Sequence, residues 1–248
     1  HFHVATSPGI DLLVGDVLAD PRTGPVRELS FRLSSSASLD DLIDVLATHP
    51  GRFDRLALRS MDLSAELIRR WVAAGGLRNL HALDLANNRF GNDGTRALAE
   101  GLAAGAWTGH TLVLTGARMT EAGAKELAGC PGLASVRLLD LGGNSFTPPA
   151  AARALAASPH LAGLRVLRLK GCGLGDQAVR RLVRGNFWPS LTELDLRDNP
   201  VSDPGAKQLL AAPMPPDLTA LVLSGRHLSG PGRAALARHF GPRVVIDG

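Results

Sequence analysis

Leucines recur along most of this chain in a fixed phrase. Leu191, Leu194 and Leu196 are followed by Asn199 and Val201, and the same spacing returns over Leu80–Phe90, Val136–Phe146 and Leu164–Leu174. Within the phrase the Leu-x-Leu pair has period two, so both leucines leave the same face of a short strand. The stretch after each phrase changes period. Apolar residues there stand three and four apart, as in AELIRRWVA after Ser64 and DQAVRRLV after Gly175, which predicts a helix. Taking the second leucine as a marker gives Leu29, Leu56, Leu83, Leu112, Leu139, Leu167, Leu194 and Leu221, at intervals of 27 to 29 residues. Eight units in phase predict a tandem array of strand–helix repeats.

The boundaries of the helices are legible. Ser64, Thr120, Thr147, Ser202 and Ser229 are N-cap candidates, with Pro148 in the first turn after Thr147. Closures are expected before Gly105, Gly129, Pro159, Gly185 and Pro213. Strands joined through helices must run parallel, and a helix is wider than the spacing between strands. The array therefore curves. The expected fold is an α/β, right-handed β–α solenoid, a horseshoe with a concave parallel sheet, convex helices and about eight repeats. Residues 1–25 break the pattern and read as an N-terminal cap with a helical face over Ile10–Ala19. Residues 26–240 hold the repeats, and 241–248 form a closing edge strand around Val244–Ile246.

The ninth position of the phrase is Asn88, Asn144, Cys172 and Asn199 in the best copies, but Ser34, Met61, Ala117 and Arg226 in the others. An amide there points inward and can bond the backbone of neighbouring turns. A looser turn is expected at Ala117, which has no such group.

In these residues the chain resembles the ribonuclease-inhibitor-like class of leucine-rich repeats, of bacterial type, over Val26–Leu236. The class includes inhibitors, innate-immunity sensor domains and activators of a small GTPase. The resemblance implies binding of a protein partner through the concave sheet. The repeat phase places Arg55, Arg59, Asp84, Asp140, Arg168, Lys170, Glu193, Asp195 and Arg197 on that face, and these are the candidate contact residues. No aromatic residue joins them, and the chain has no Tyr. Hot spots favour Trp, Tyr and Arg, so a site of modest affinity is expected.

Composition narrows the alternatives. Of the 27 basic residues only Lys125, Lys170 and Lys207 are lysines, and the net charge is +4 over 248 residues. That excess is too small to argue for nucleic acid, although Arg96, Arg153, Arg180, Arg181, Arg184, Arg233 and Arg238 make the helical side basic. No apolar run reaches the roughly 18 residues of a membrane span. Two cysteines, Cys130 and Cys172, are too few for a disulfide scaffold and point to a reducing, cytoplasmic compartment. The chain begins at His1, with no signal peptide, and reads as cut from something longer. Trp71 is expected in the core, and Trp107 and Trp188 in the gap between helix and strand layers.

No catalytic constellation stands out. Apart from the terminal His1-x-His3 pair, the eight histidines lack metal-ligand spacing, and no phosphate loop, nucleophile elbow or paired-cysteine motif is present. Glu193 and Asp195 share a strand face like an acid–base pair, but Asp recurs in step at Asp84 and Asp140 and reads as a solvated repeat feature. The expectation is a monomeric, non-enzymatic interaction module without cofactor or metal. A regulator of an enzyme, as GTPase activator or inhibitor, is one alternative, and a weak nucleic-acid binder using the convex side is another.

Overall fold

The structure is a computed structural model, which describes residues 2–5, 26–32, 39–49, 53–146 and 149–247. Its strands are β1 (Phe2–Ala5), β2 (Val26–Arg32), β3 (Phe53–Leu58), β4 (Ala82–Asp84), β5 (Thr111–Val113), β6 (Leu138–Asp140), β7 (Val166–Arg168), β8 (Glu193–Asp195), β9 (Ala220–Ser224) and β10 (Val244–Asp247). They lie in a single sheet in chain order, each parallel to the next. The marker leucines meet in register: Leu56 pairs with Leu83, Leu83 with Leu112, Leu139 with Leu167 and Leu194 with Leu221. Both leucines of each pair are buried, as at Leu139 and Leu141 or Leu194 and Leu196. Burying a leucine side chain stabilises by about 1.5–3 kcal/mol, so a continuous row of them is the spine of the molecule.

The helices are α1 (Leu39–Thr48), α2 (Ala65–Ala73), α3 (Gly91–Gly101), α4 (Glu121–Ala128), α5 (Ala150–Ala157), α6 (Asp176–Leu182), α7 (Asp203–Ala211) and α8 (Gly230–Phe240). Each packs on the next along the array. Helices need about 10 Å of width and strands about 4.8 Å. The helical side is therefore the outer, convex one, and the sheet lines the inside of the solenoid. Val244–Asp247 supplies the closing edge strand expected after the eight repeats, and the tenth strand, which was not expected, is Phe2–Ala5 at the other end. Phe2–Ala5 carries no Leu-x-Leu pair, so periodicity alone could not reveal it. The helix expected over Ile10–Ala19 lies outside the described residues, as does the cap Thr147.

Three of the expected N-caps are made by side chains: Ser64 accepts from Leu67 N, Thr120 from Ala122 N and Ser229 from Gly232 N. Ser202 departs from this. Its hydroxyl donates to Asp176 Oδ2 at 2.7 Å, and its amide donates to Asp176 Oδ1 at 2.8 Å. The preceding helix thus holds the start of α7. Asn92 does the same for Thr120, and Asp203 for Ser229. The bond from Ser229 holds the Asp203 carboxyl below its usual range. A ladder between repeats on the helical side was not evident from single-helix capping rules.

The inner ladder is the stronger one. Asn88, Asn144 and Asn199 are buried, and they occupy alternate units. Each bonds the turn of the unit before it. Asn144 Oδ1 accepts from Met119 N at 2.9 Å while its Nδ2 donates to Leu114 O and Leu141 O. Asn199 Oδ1 accepts from Cys172 N and Leu174 N, and its Nδ2 donates to Leu169 O and Leu196 O. Asn88 serves Met61, Leu63 and Leu58 in the same way. The looser turn expected at Ala117 is therefore not found. Ala117 is buried, and Asn144 satisfies the backbone groups around it.

Trp71, Trp107 and Trp188 are all buried, as the sequence suggested. Trp188 Nε1 donates to Pro213 O at 2.7 Å, whereas Trp107 Nε1 has no acceptor among the described residues.

Candidate functional site

The side chains on the inner face of the sheet alternate with the buried leucines. In β6, β7 and β8 they are Leu138 and Asp140, Val166 and Arg168, and Glu193 and Asp195. With the turns just beyond these strands they line a shallow depression of about 500 Å³. Its walls include Thr115, Asp140, Arg168, Lys170, Glu193, Asp195 and Arg197. Six of the nine candidate contact residues meet there. Arg55, Arg59 and Asp84 do not. They belong to β3, β4 and the turn after β3, where Arg59 Nε lies 2.6 Å from Asp84 Oδ2.

The depression is laced by ion pairs. Arg168 Nε donates to Glu193 Oε1 at 2.8 Å across adjacent strands. Arg197 spans the Asp195 carboxylate through Nε and Nη2, the latter at 2.6 Å. Lys170 Nζ stands 3.4 Å from Asp198, and Arg197 Nη1 reaches 3.9 Å from Asp247. These carboxylates hold the Arg168 and Arg197 guanidiniums more firmly protonated, through hydrogen bonds to Glu193 and Asp195 respectively. A chain this rich in arginine could have offered a bare cationic patch. The depression instead offers charges whose partners are already in place.

Asp195 is the most buried of the candidates in the depression, only 2 % exposed and bonded by Arg197. Its role is local: Oδ1 accepts from Arg197 N at 2.9 Å, closing the turn after β8. Asp84 and Asp140 close their turns the same way, accepting from Ala86 N and Gly142 N. The recurrent Asp is thus a repeat feature, as its phase suggested, but one that closes turns rather than a merely solvated one, and at Asp195 it is buried. Asp140 also accepts from Thr115 Oγ1 at 2.8 Å.

Asp198 and Asp247 were not singled out from sequence. Asp198 had one readable sign: it follows the strand phrase where the turn needs a left-handed residue, and its φ is 55°. Asp and Asn tolerate that region better than most residues.

The buried thiols offer no nucleophile near neutral pH. Cys172 is 1 % exposed, donates from Sγ to Leu141 O at 3.1 Å, and burial pushes its pKa up to about 12. Burial raises the Cys130 thiol as well. Among the described residues, no group of three or more His, Cys, Asp or Glu could hold a metal ion. No helix among them is long and apolar enough to cross a membrane.

Two segments, residues 76–99 and 189–210, match a family model described as Leucine Rich repeat. No curated protein sequence is a significant match to this chain. Among solved structures, a chain of the yeast Rad7 and Elc1 complex superposes with a TM-score of 0.63 at 15% identity. That match covers 98% of this chain and 63% of the other. Internalin C2 from Listeria monocytogenes is 18% identical over 82% of this chain and 83% of its own, with a TM-score of 0.48. A second Listeria monocytogenes internalin, inlF, is 14% identical over 94% of this chain and 50% of its own, with a TM-score of 0.40. With leucines in register across a parallel sheet, a helix returning after each repeat and two copies matched by the repeat model, the chain is a leucine-rich-repeat solenoid.

Proposed function

We propose that this chain is a non-catalytic protein-binding module that receives its partner on the concave face, at the depression between β6 and β8. The observation behind this reading is the gathering of Asp140, Arg168, Lys170, Glu193 and Arg197 around one hollow of the inner sheet. Such a surface suits a polar protein segment carrying both signs of charge, because complementary charges across an interface steer encounter and fix register. The absence of aromatic anchors there fits modest affinity. That the yeast neighbour of similar fold is a complex of two proteins agrees with a binding role.

The experiment is a comparison of two charge-reversed variants in affinity capture. Lys170→Glu with Arg168→Glu should lower partner recovery about thirty-fold, the scale of one lost hot spot. Arg180→Glu with Arg181→Glu, on the exposed outer side of α6, should leave recovery unchanged. The reverse pattern would move the site to the convex side.

A further inference from the structure

Arg153 stands two residues before Leu155, Arg180 two before Leu182 and Lys207 two before Leu209, and these three leucines are fully buried. The cations therefore hold the same position on α5, α6 and α7. Those helices pack side by side, so the three side chains form a row across the convex face. Arg181 lies beside the row on α6, and Arg184 just past the end of that helix. All five side chains are exposed.

On the concave face Arg168, Lys170 and Arg197 each meet a carboxylate. Among the described residues, no ion pair joins Arg153, Arg180, Arg181, Arg184 or Lys207 to an acid. The cause lies on the same helices. Their two carboxylates, Asp176 and Asp203, sit at the helix starts and are taken up by the next unit. Asp176 accepts from the Ser202 amide and hydroxyl, and Asp203 from the Ser229 amide. Asp203 also lies in the field of Lys207, one turn further on. The other exposed positions of α5–α7 are Ala157, Gln177, Pro204 and Ala211. Averaged over the chain the charge excess is small, but the fold gathers unpaired cations here, with no aromatic or large aliphatic side chain exposed among them.

We propose that the convex face at α5–α7 binds the phosphate backbones of double-helical DNA without reading base sequence, independently of the concave depression. Protein interfaces centre on desolvated aromatic or apolar anchors, and single strands need aromatic platforms for their bases. This face has neither, so charge alone holds its ligand. Duplex DNA carries one negative charge per about 1.7 Å of axis. Four of the five cations are arginines, whose guanidinium fork matches phosphate in two-point contact. From Arg153 to Lys207 the row crosses two helix spacings, about 16–20 Å. That span sets a cation on each backbone flanking the major groove of B-form DNA, about 12 Å wide. The deep, narrow major groove of A-form RNA does not match it.

Fluorescence anisotropy of the full chain with a mixed-sequence DNA duplex of about 20 base pairs tests the assignment. Binding at about 50 mM salt should weaken steeply as salt is added, with a log–log slope of about −4 for four to five neutralised phosphates. Arg180→Gln with Arg181→Gln should reduce that slope by about two and weaken binding by about ten-fold or more at the lower salt. The thermal melt should not change, because both side chains are exposed. Arg168→Gln with Lys170→Gln removes the same charge from the concave face and should leave the slope unchanged. Equal losses from the two pairs would show net charge acting at large and overturn the proposal. So would no binding at the lower salt. Binding of polyglutamate, of the single strand or of an RNA duplex of the same sequence as tight as that of the DNA duplex would overturn it too.

Discussion

The inner turns and the concave depression both carry polar side chains at the repeat spacing, but different physics holds them. In the turns, Asn88, Asn144 and Asn199 are neutral, buried and bonded to buried backbone groups of their own and the preceding turn. In the depression, Arg168 and Lys170 are ions, partly solvated, and paired with carboxylates that water could also satisfy. A buried backbone donor left without an acceptor costs its full desolvation penalty. An exposed ion pair broken by mutation returns two ions to water at little cost. The ladder is therefore where the fold can be broken, and the depression is where surface chemistry can change while the fold stays intact.

This contrast can be broken most severely at Asn144. Asn144→Ala should cost about 2–4 kcal/mol, since several buried backbone groups lose their partner at once. Chemical denaturation would measure the loss, and hydrogen exchange should quicken at the Met119 amide, which Asn144 now holds. A cost below that of a surface mutation would show that water replaces the amide.

Asp195 stands between the two regions, a carboxylate of the concave face that is buried like a core group. Asp195→Ala should cost about 1–2 kcal/mol, because the Arg197 amide and guanidinium both lose their acceptor. The same substitution at Asp84, whose side chain is more open, should cost less.

The pH dependence of the ladder is the next effect in size. Cys172 takes the ladder position in its unit, and burial raises its pKa from 9.0 to about 12. The folded state therefore keeps the proton in a range where the unfolded chain loses it. Stability from this group is complete below the unfolded pKa and falls as pH rises from there toward the folded value. The slope approaches about 1.4 kcal/mol per pH unit above pH 9. Urea midpoints measured between pH 8 and about pH 10.5 should fall faster for the wild-type chain than for Cys172→Ala. Equal slopes would place the alkaline sensitivity elsewhere.

The smallest effect belongs to the surface pair at the other end of the concave face. Arg59, with its side chain 61 % exposed, meets Asp84. Arg59→Ala should change stability by less than about 0.5 kcal/mol, within the range of exposed pairs. A larger loss in thermal melts would mean that surface ions bear on the fold, and the contrast between the two regions would weaken.

Much of the architecture could be read before any coordinates. Leu-x-Leu pairs at intervals of 27 to 29 residues carry both the strand period and the stacking period, so the strands of the repeats, their parallel sense and the helix placement follow from them. The ladder was half legible. Asn88, Asn144 and Asn199 announced inward amides, but not that each serves the preceding turn. That is why Ala117 looked deficient when it is not: its missing amide is supplied 27 residues later. The candidate site was legible as a face but not as a place. Phase put nine charged residues on the inner sheet, and only strand stacking gathered six of them round one hollow and left Arg55, Arg59 and Asp84 apart. Nor does phase tell depth, so Asp195 and Glu193 looked alike until Arg197 was seen folded over one of them.

What the sequence determined by itself was everything that repeats: the leucine spine, the alternation of strand and helix, the inward amides and the recurrence of the aspartates. Repetition averages over many copies and makes a local preference unmistakable. What the tertiary structure alone decided was everything that happens once: which charges pair, which carboxylate is buried, and the strand Phe2–Ala5 at the start of the sheet. Those depend on contacts between residues far apart in the chain, whose energies of a kcal/mol or so leave no period in the sequence to read.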